Sequence, residues 1–225
     1  MLRWIVQKTL YILFRILTRL TIIGLDNLPL TGACIMVTNH LSVLDAPLIF
    51  VCLQRKDLAV LVAKKHYKNL FFRFIASQAK VIWIDRFILE VKPLKEISAY
   101  LKNDGIIGIA PEGTRSRTYQ MIEAKTGAAY LASLSPDAPI IPIAISGSDG
   151  AVPKLLRLAR PKISIQFGTP FRLSAVDRQD RHAGLQRNTI EIMCRIAAML
   201  PEKYHGFYAG HPRIKELIST AETNI

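Results

Sequence analysis

Three short apolar runs in this chain each end in a polar cluster. ACIMVT (Ala33 to Thr38) runs into Asn39 and His40, VIWI (Val81 to Ile84) into Asp85 and Arg86, and IIGIA (Ile106 to Ala110) into PEGTRS. Runs of this length between turn residues read as buried strands, and the segments separating them carry longer amphipathic stretches. That alternation folds as an α/β domain, a central sheet flanked by helices. In such sheets ligands gather outside the carboxyl ends of strands, so clusters far apart in sequence can converge on one site.

The pattern predicts strands at Cys34 to Thr38, Leu58 to Val62, Lys80 to Ile84, Ile106 to Ala110, Ile140 to Ile145 and Lys162 to Phe167. Helices are expected at Ala46 to Leu53, Lys68 to Ser77, Val91 to Leu101, Gly127 to Ser133 and Arg187 to Leu200. No repeat or low-complexity tract interrupts them. Half of the 225 residues are apolar and 21% are charged, which excludes a disordered chain and supports one packed domain. The three cysteines, Cys34, Cys52 and Cys194, sit singly in apolar surroundings, which fits core packing in a reducing compartment.

Residues 1 to 23 carry four basic side chains, no acidic one, and an almost unbroken supply of Leu, Ile, Phe and Trp. At helical spacing Lys8, Arg15 and Arg19 fall within an arc of ~40°, with Arg3 to one side. We read residues 1–25 as a basic amphipathic helix suited to an anionic membrane interface, closed by Gly24, Asp26, Asn27 and Pro29. A helix packed on its own domain with solvated charges is the plainer alternative. The segment lacks a secretory cleavage pattern. The longest stretch free of charged residues, 27 to 44, is too polar for a membrane span.

Two clusters carry most of the candidate chemistry. In NHLSVLD (Asn39 to Asp45), His40 and Asp45 would stand ~140° apart on a straight helix, whereas a strand-to-helix turn can bring them together. An aspartate meeting the imidazole fixes its tautomer and frees the other nitrogen as a base. Alternatively Asp45 caps a helix starting at Ala46, alone or in a capping box with Ser42. In PEGTRSR (Pro111 to Arg117), a Glu-Gly-Thr-Arg turn after a strand offers amides, a hydroxyl and a guanidinium to an anion, or is simply a surface turn. Asp85 beside Arg86 is an ion pair at a third strand end. APIIPIAISG (Ala138 to Gly147) is a proline-bracketed core strand. His66, His182, His205 and His211 form no metal-ligand spacing, and the chain has no phosphate-binding P-loop, no G-x-G-x-x-G and no G-x-S-x-G elbow.

The order of the blocks NHLSVLD, VIWIDR, PEGTRS and APIIPIAISG over residues 39 to 147, with VAKKHYKN and EAKTGAAYLA between them, resembles the glycerophospholipid acyltransferases of the lysophosphatidic acid (PlsC-like) type. The resemblance implies a single acyltransferase domain over 26–225, with a motif-bearing core at 34–170 and a mixed central sheet. It makes His40 the general base and Asp45 its support. Arg86 and Arg115 become a clamp for the acceptor phosphate, Glu112, Gly113 and Thr114 shape that subsite, and Lys64 is a further basic candidate.

The implied reaction moves a fatty acyl group from acyl-CoA or acyl-carrier protein to lysophosphatidic acid, with no cofactor and no metal. Direct attack on the thioester suffices, because a thiolate leaves without strong acid help. The implied setting is the anionic cytoplasmic face of a membrane, which the +13 net charge would favour. Two positions depart from the family pattern. Gln78, Ala79 and Lys80 stand where a glycine is common, and Ala110 stands where phenylalanine is common. Glycerol-3-phosphate, another lysophospholipid or a lyso-aminolipid is the rival acceptor. Hydrolysis by His40 and Asp45 is a rival reaction, and a silent basic module that binds membrane or nucleic acid is a distant rival. The aromatics sit mainly in apolar runs such as LFFRFI, which argues against nucleic acid.

Overall fold

The computed structural model describes residues 2–53, 55–64, 79–85 and 90–223. Seven strands form one sheet: β1 (Arg19–Ile23), β2 (Cys34–Thr38), β3 (Leu58–Ala63), β4 (Lys80–Ile84), β5 (Ile106–Ile109), β6 (Ile140–Ser146) and β7 (Lys162–Phe167). Their spatial order is β1-β7-β6-β2-β5-β3-β4. The five strands from β6 to β4 run parallel, while β7 is antiparallel to β6 and β1 parallel to β7. The sheet is therefore mixed, and the sequence runs taken as strands match it to within a residue or so.

Strand alternation divides the core. Ile35 and Val37 of β2 face one layer, and Cys34 and Met36 the other. The first layer contains helices α3 (Val91–Lys102), α4 (Gly127–Leu134), α6 (Arg181–Ala197) and α7 (Pro212–Thr223). The second contains α1 (Leu2–Leu17), α2 (Asp45–Cys52) and the start of α5 (Ala151–Leu156). All three cysteines are buried and free; burial pushes the thiols of Cys34 and Cys52 up to about 12 and that of Cys194 to about 11, so none is reactive near neutrality.

The N-terminal segment differs from the sequence reading. The helix stops at Leu17, where the Thr18 hydroxyl donates to the Phe14 carbonyl at 2.6 Å, and residues 19–23 become an edge strand. The β-branched Thr21, Ile22 and Ile23 suit extended backbone, and β7 supplies the partner. Arg19 thus leaves the expected cationic arc, and Arg3 turns inward over the Phe50 ring at 5.3 Å. Gln7 donates to the Phe50 carbonyl at 2.8 Å, and Leu10, Tyr11 and Phe14 pack beside α2. Trp4, Ile5, Ile12, Leu13 and Ile16 remain on the outer face.

Helix α6 starts at Arg181, earlier than expected, and α5 and α7 were not anticipated. The helix expected at Lys68 to Ser77 lies outside the described residues. Among the described residues no helix is long and apolar enough to cross a membrane.

Candidate active site

Chain reversal after β2 places the first cluster. Asn39, fully buried, acts as a surrogate strand residue: its amide donates to the Ile145 carbonyl and its oxygen accepts from the Ile145 N–H, both at 2.9 Å. His40 follows immediately, at the carboxyl end of β2. Its Nδ1 lies 2.9 Å from Asp45 Oδ2, the pairing that a strand-to-helix turn was expected to allow. A carboxylate facing Nδ1 holds the proton there and leaves the Nε2 lone pair as the basic site.

Asp45 is the first residue of α2 and only 1% exposed. Oδ2 also accepts the N–H groups of Leu41 and Ser42, at 2.7 and 2.8 Å, and Oδ1 accepts the Ser148 hydroxyl at 2.7 Å. The carboxylate therefore folds back over the loop, and the capping-box alternative with Ser42 is not realised: α2 has no side-chain cap, and Ser42 Oγ accepts from Leu44 N.

The second cluster grips His40 by its backbone. Glu112 Oε1 accepts the His40 N–H at 2.9 Å, Oε2 accepts the Ile122 N–H at 3.0 Å, and the Ser116 N–H donates to the His40 carbonyl at 3.1 Å. Glu112 is buried and reaches the site through that backbone. Desolvation outweighs its two N–H donors and pushes the carboxyl up to about 7. Gly113 takes φ 67°, a turn conformation that glycine adopts without strain, and its N–H closes the turn on the Ala110 carbonyl at 2.9 Å. That amide is thus committed to the turn.

A cavity of about 530 Å3 opens beside this pair. Gly113, Thr114, Arg115 and Lys125 form one polar wall together with His40, and Asp85 and Glu90 stand elsewhere on the lining. Its depth is apolar, with Met36, Ile49, Leu58 and Val60 on one side and Leu61, Ile84, Leu94 and Leu131 on the other. Gly108 lines it in mid-strand, where a Cβ would sit 3.4 to 3.7 Å from Val60, Leu58 and Met36.

Arg115 is exposed at this wall. Lys64 is held by Glu90, which leaves the carboxylate rather than the ammonium on the lining. Arg86 lies outside the described residues. Of the two departures, Ala110 lines the cavity, whereas Ala79 is buried in the core and Lys80 turns to Glu96 at 3.1 Å. Sequence reasoning passed over Lys125, Ser148 and Asn39. Lys125 sits in a stretch already noted as family-like, but nothing local marks its cavity. Among the described residues, no group of three His, Cys, Asp or Glu side chains is placed to hold a metal ion.

A family model described as Acyltransferase matches residues 19–146, over half of the chain. The chain belongs to the acyltransferase family. Both clusters of this acyltransferase fall inside the matched range, while Ser148 and the C-terminal helices lie beyond it. Among solved structures it resembles the 1-acyl-sn-glycerophosphate (LPA) acyltransferase PlsC from Thermotoga maritima. The TM-score is 0.61 at 20% identity, covering 84% of this chain and 78% of that one, a likeness of fold. Comparison with curated proteins returns no match.

Proposed function

We propose that this acyltransferase moves a fatty acyl group from acyl-CoA or acyl-carrier protein to lysophosphatidic acid (1-acylglycerol-3-phosphate), giving phosphatidic acid at the cytoplasmic face of an anionic membrane. The observation that carries this reading is the His40–Asp45 pair at the mouth of a cavity with Arg115 and Lys125 on its polar wall and an apolar interior. The family membership supports acyl transfer. The shared fold with an enzyme acting on 1-acyl-sn-glycerophosphate supports the acceptor.

In this mechanism His40 Nε2 takes the proton of the acceptor hydroxyl as the oxygen attacks the thioester carbonyl. The C–O bond forms, the C–S bond breaks, and the thiolate recovers a proton, so the products are an ester and a free thiol. Asp45 holds the imidazole and balances its positive charge in the transition state. Arg115 meets the acceptor phosphate, with Lys125 on the same wall and Arg86 assigned there by sequence resemblance alone; Glu112, Gly113 and Thr114 set the shape of that turn. Lys64 acts through Glu90. Since a thiolate departs readily, the step needs neither a covalent serine nor a metal.

The test is product analysis with labelled acyl-CoA or acyl-carrier protein and a panel of lysophosphatidic acid, glycerol-3-phosphate and neutral or zwitterionic lysolipids, with thiol release followed in parallel. Phosphatidic acid formed in step with thiol is the expected result. Thiol release without lipid product would make the enzyme a hydrolase, and transfer only to another acceptor would move the substrate.

A further inference from the structure

At the corner between α5 and β7 the chain exposes side chains that folding alone would turn inward. Leu156 is 83% and Leu158 74% exposed, and every residue from Leu156 to Arg160 is exposed. Leu158 and Arg160 take φ values of 53° and 43°, left-handed conformations that disfavour branched and bulky residues. The strained corner therefore displays a leucine where a glycine would relax the backbone. No Asp or Glu occurs between residues 150 and 176, or between 1 and 25. Lys154, Arg157, Arg160 and Lys162 consequently form a one-signed field, and among the described residues no ion pair engages them.

Sheet topology fixes where this corner lies. Because β7 is antiparallel to β6, its start is at the carboxyl end of β6, and parallel pairing of β2 with β6 puts that end beside His40. β1 runs with β7, so the end of α1 arrives at the same edge. The corner touches it there: the Arg19 N–H donates to the Pro161 carbonyl at 2.9 Å, and the Arg160 guanidinium reaches the Arg15 carbonyl at 3.5 Å. Ile12, Leu13 and Ile16 are exposed on the α1 helix that leads into this edge. The start of β7 is two strand spacings, roughly 10 Å, from β2.

We propose that the corner from Val152 to Arg160 is a second membrane contact, distinct from α1. Leu156 and Leu158 enter the headgroup boundary of an anionic leaflet, while Lys154, Arg157 and Arg160 meet lipid phosphates. One helix lying in an interface leaves a domain free to roll about its axis; a second contact fixes the roll and holds the sheet end bearing His40 against the lipid. The inference rests on the reading of this chain as a lipid acyltransferase. An acidic carrier protein would satisfy the cations but not the two leucines.

The experiment uses the full chain with Leu158→Cys, or separately Ile16→Cys, labelled with an environment-sensitive fluorophore; the native thiols are buried and unreactive. Vesicles of phosphatidylglycerol and phosphatidylcholine carry a lipid-phase quencher, and phosphatidic acid formation is followed on the same samples. We expect both labels to be quenched. We also expect Leu156→Asp with Leu158→Asp to weaken vesicle association about tenfold or more, while turnover of a water-soluble short-chain acceptor holds.

Quenching at Ile16 but not Leu158 would overturn the second contact and leave the proposed function standing. Quenching at neither label, with phosphatidic acid still formed, would overturn it as well. A change at Leu158 produced by acyl-carrier protein without vesicles, and not by vesicles, would give the surface to the protein partner and sink the proposal. Quenching at both without phosphatidic acid would uphold the contact while removing the acceptor reading.

Discussion

The two parts of the cavity's polar wall are built in opposite ways. On the His40 side the groups that surround and aim the imidazole are committed: Asp45 accepts four donors, the backbone of His40 is held at both its N–H and its carbonyl, and Asn39 is locked to Ile145. On the cation side Arg115 is exposed on the lining. A base must be aimed before substrate arrives, since misplacement by a fraction of an ångström costs rate. A phosphate clamp must instead stay hydrated and accessible until the anion replaces its water. Under the proposed function, rigid chemistry beside an open binding wall suits a transfer between two exchanging substrates.

The largest expected effect breaks the rigid side at its centre. His40→Ala should lower kcat about 10³-fold or more, the scale of a lost general base that also organised the nucleophile, with the thermal transition nearly unchanged because the imidazole is only partly buried. Turnover close to wild type in the product assay would remove His40 from the mechanism.

Next comes the scaffold beneath it. Glu112 is held at a raised folded value of about 7 against 4.5 for a free carboxyl. Its stabilising share is therefore complete below pH 4.5 and lost as pH rises through 7, because the unfolded chain ionises first. The shift of about 2.5 units corresponds to roughly 3 kcal/mol over that window. Denaturant titrations from pH 4.5 to 7.5 should show wild type losing about this much relative to Glu112→Gln, which cannot ionise. Parallel pH profiles would mean that the two N–H donors keep Glu112 ionised, and the rigid side would then rest on a buried charge.

The open side should respond in binding. Arg115→Ala is expected to raise KM for lysophosphatidic acid about 10- to 100-fold, the worth of a charge-assisted hydrogen bond, with kcat changed little and a phosphate-free acceptor unaffected. A fall in kcat at constant KM would place Arg115 among the groups aligned for chemistry and erase the contrast between the two parts of the wall.

The strands and the His40–Asp45 turn were legible because each is local: period-2 burial and a turn between two named residues are written within a few positions. Strand β1 was not. Arg19 fits a continued helical arc, and only pairing with β7, far along the chain, makes residues 19–23 a strand. The bonds of Arg3 and Gln7 to the end of α2 and the loop after it are equally non-local, and no neighbouring residue marks them. Glu112 was read as part of the acceptor turn, but a carboxylate bonded to two distant amides cannot be recognised from its neighbours. Lys125 needed the assembled cavity.

Ser148 is the least legible member of the rigid side and gives the smallest test. It sits in ISGSDG, which reads as an ordinary turn, yet it is fully buried and donates to Asp45 at 2.7 Å. Its loop is braced by the C-terminal part of the chain: the Tyr204 hydroxyl accepts the Gly147 N–H at 3.1 Å and donates to Asp149 at 2.7 Å. Ser148→Ala leaves one oxygen of a buried carboxylate without its donor. The orientation of Asp45, and with it the aim of His40, then loosens. We expect kcat/KM to fall about five- to tenfold, near the net worth of one hydrogen bond to a charged group. The fall should lie in kcat measured per active site, with KM for lysophosphatidic acid little changed. Loss of stability alone would lower the amount of active enzyme without changing kcat per active site, so an unchanged value would make Ser148 a packing residue. A lowered kcat per active site would extend the rigid side through Asp149 and Tyr204 into the C-terminal part of the chain, beyond the residues that the family model matches.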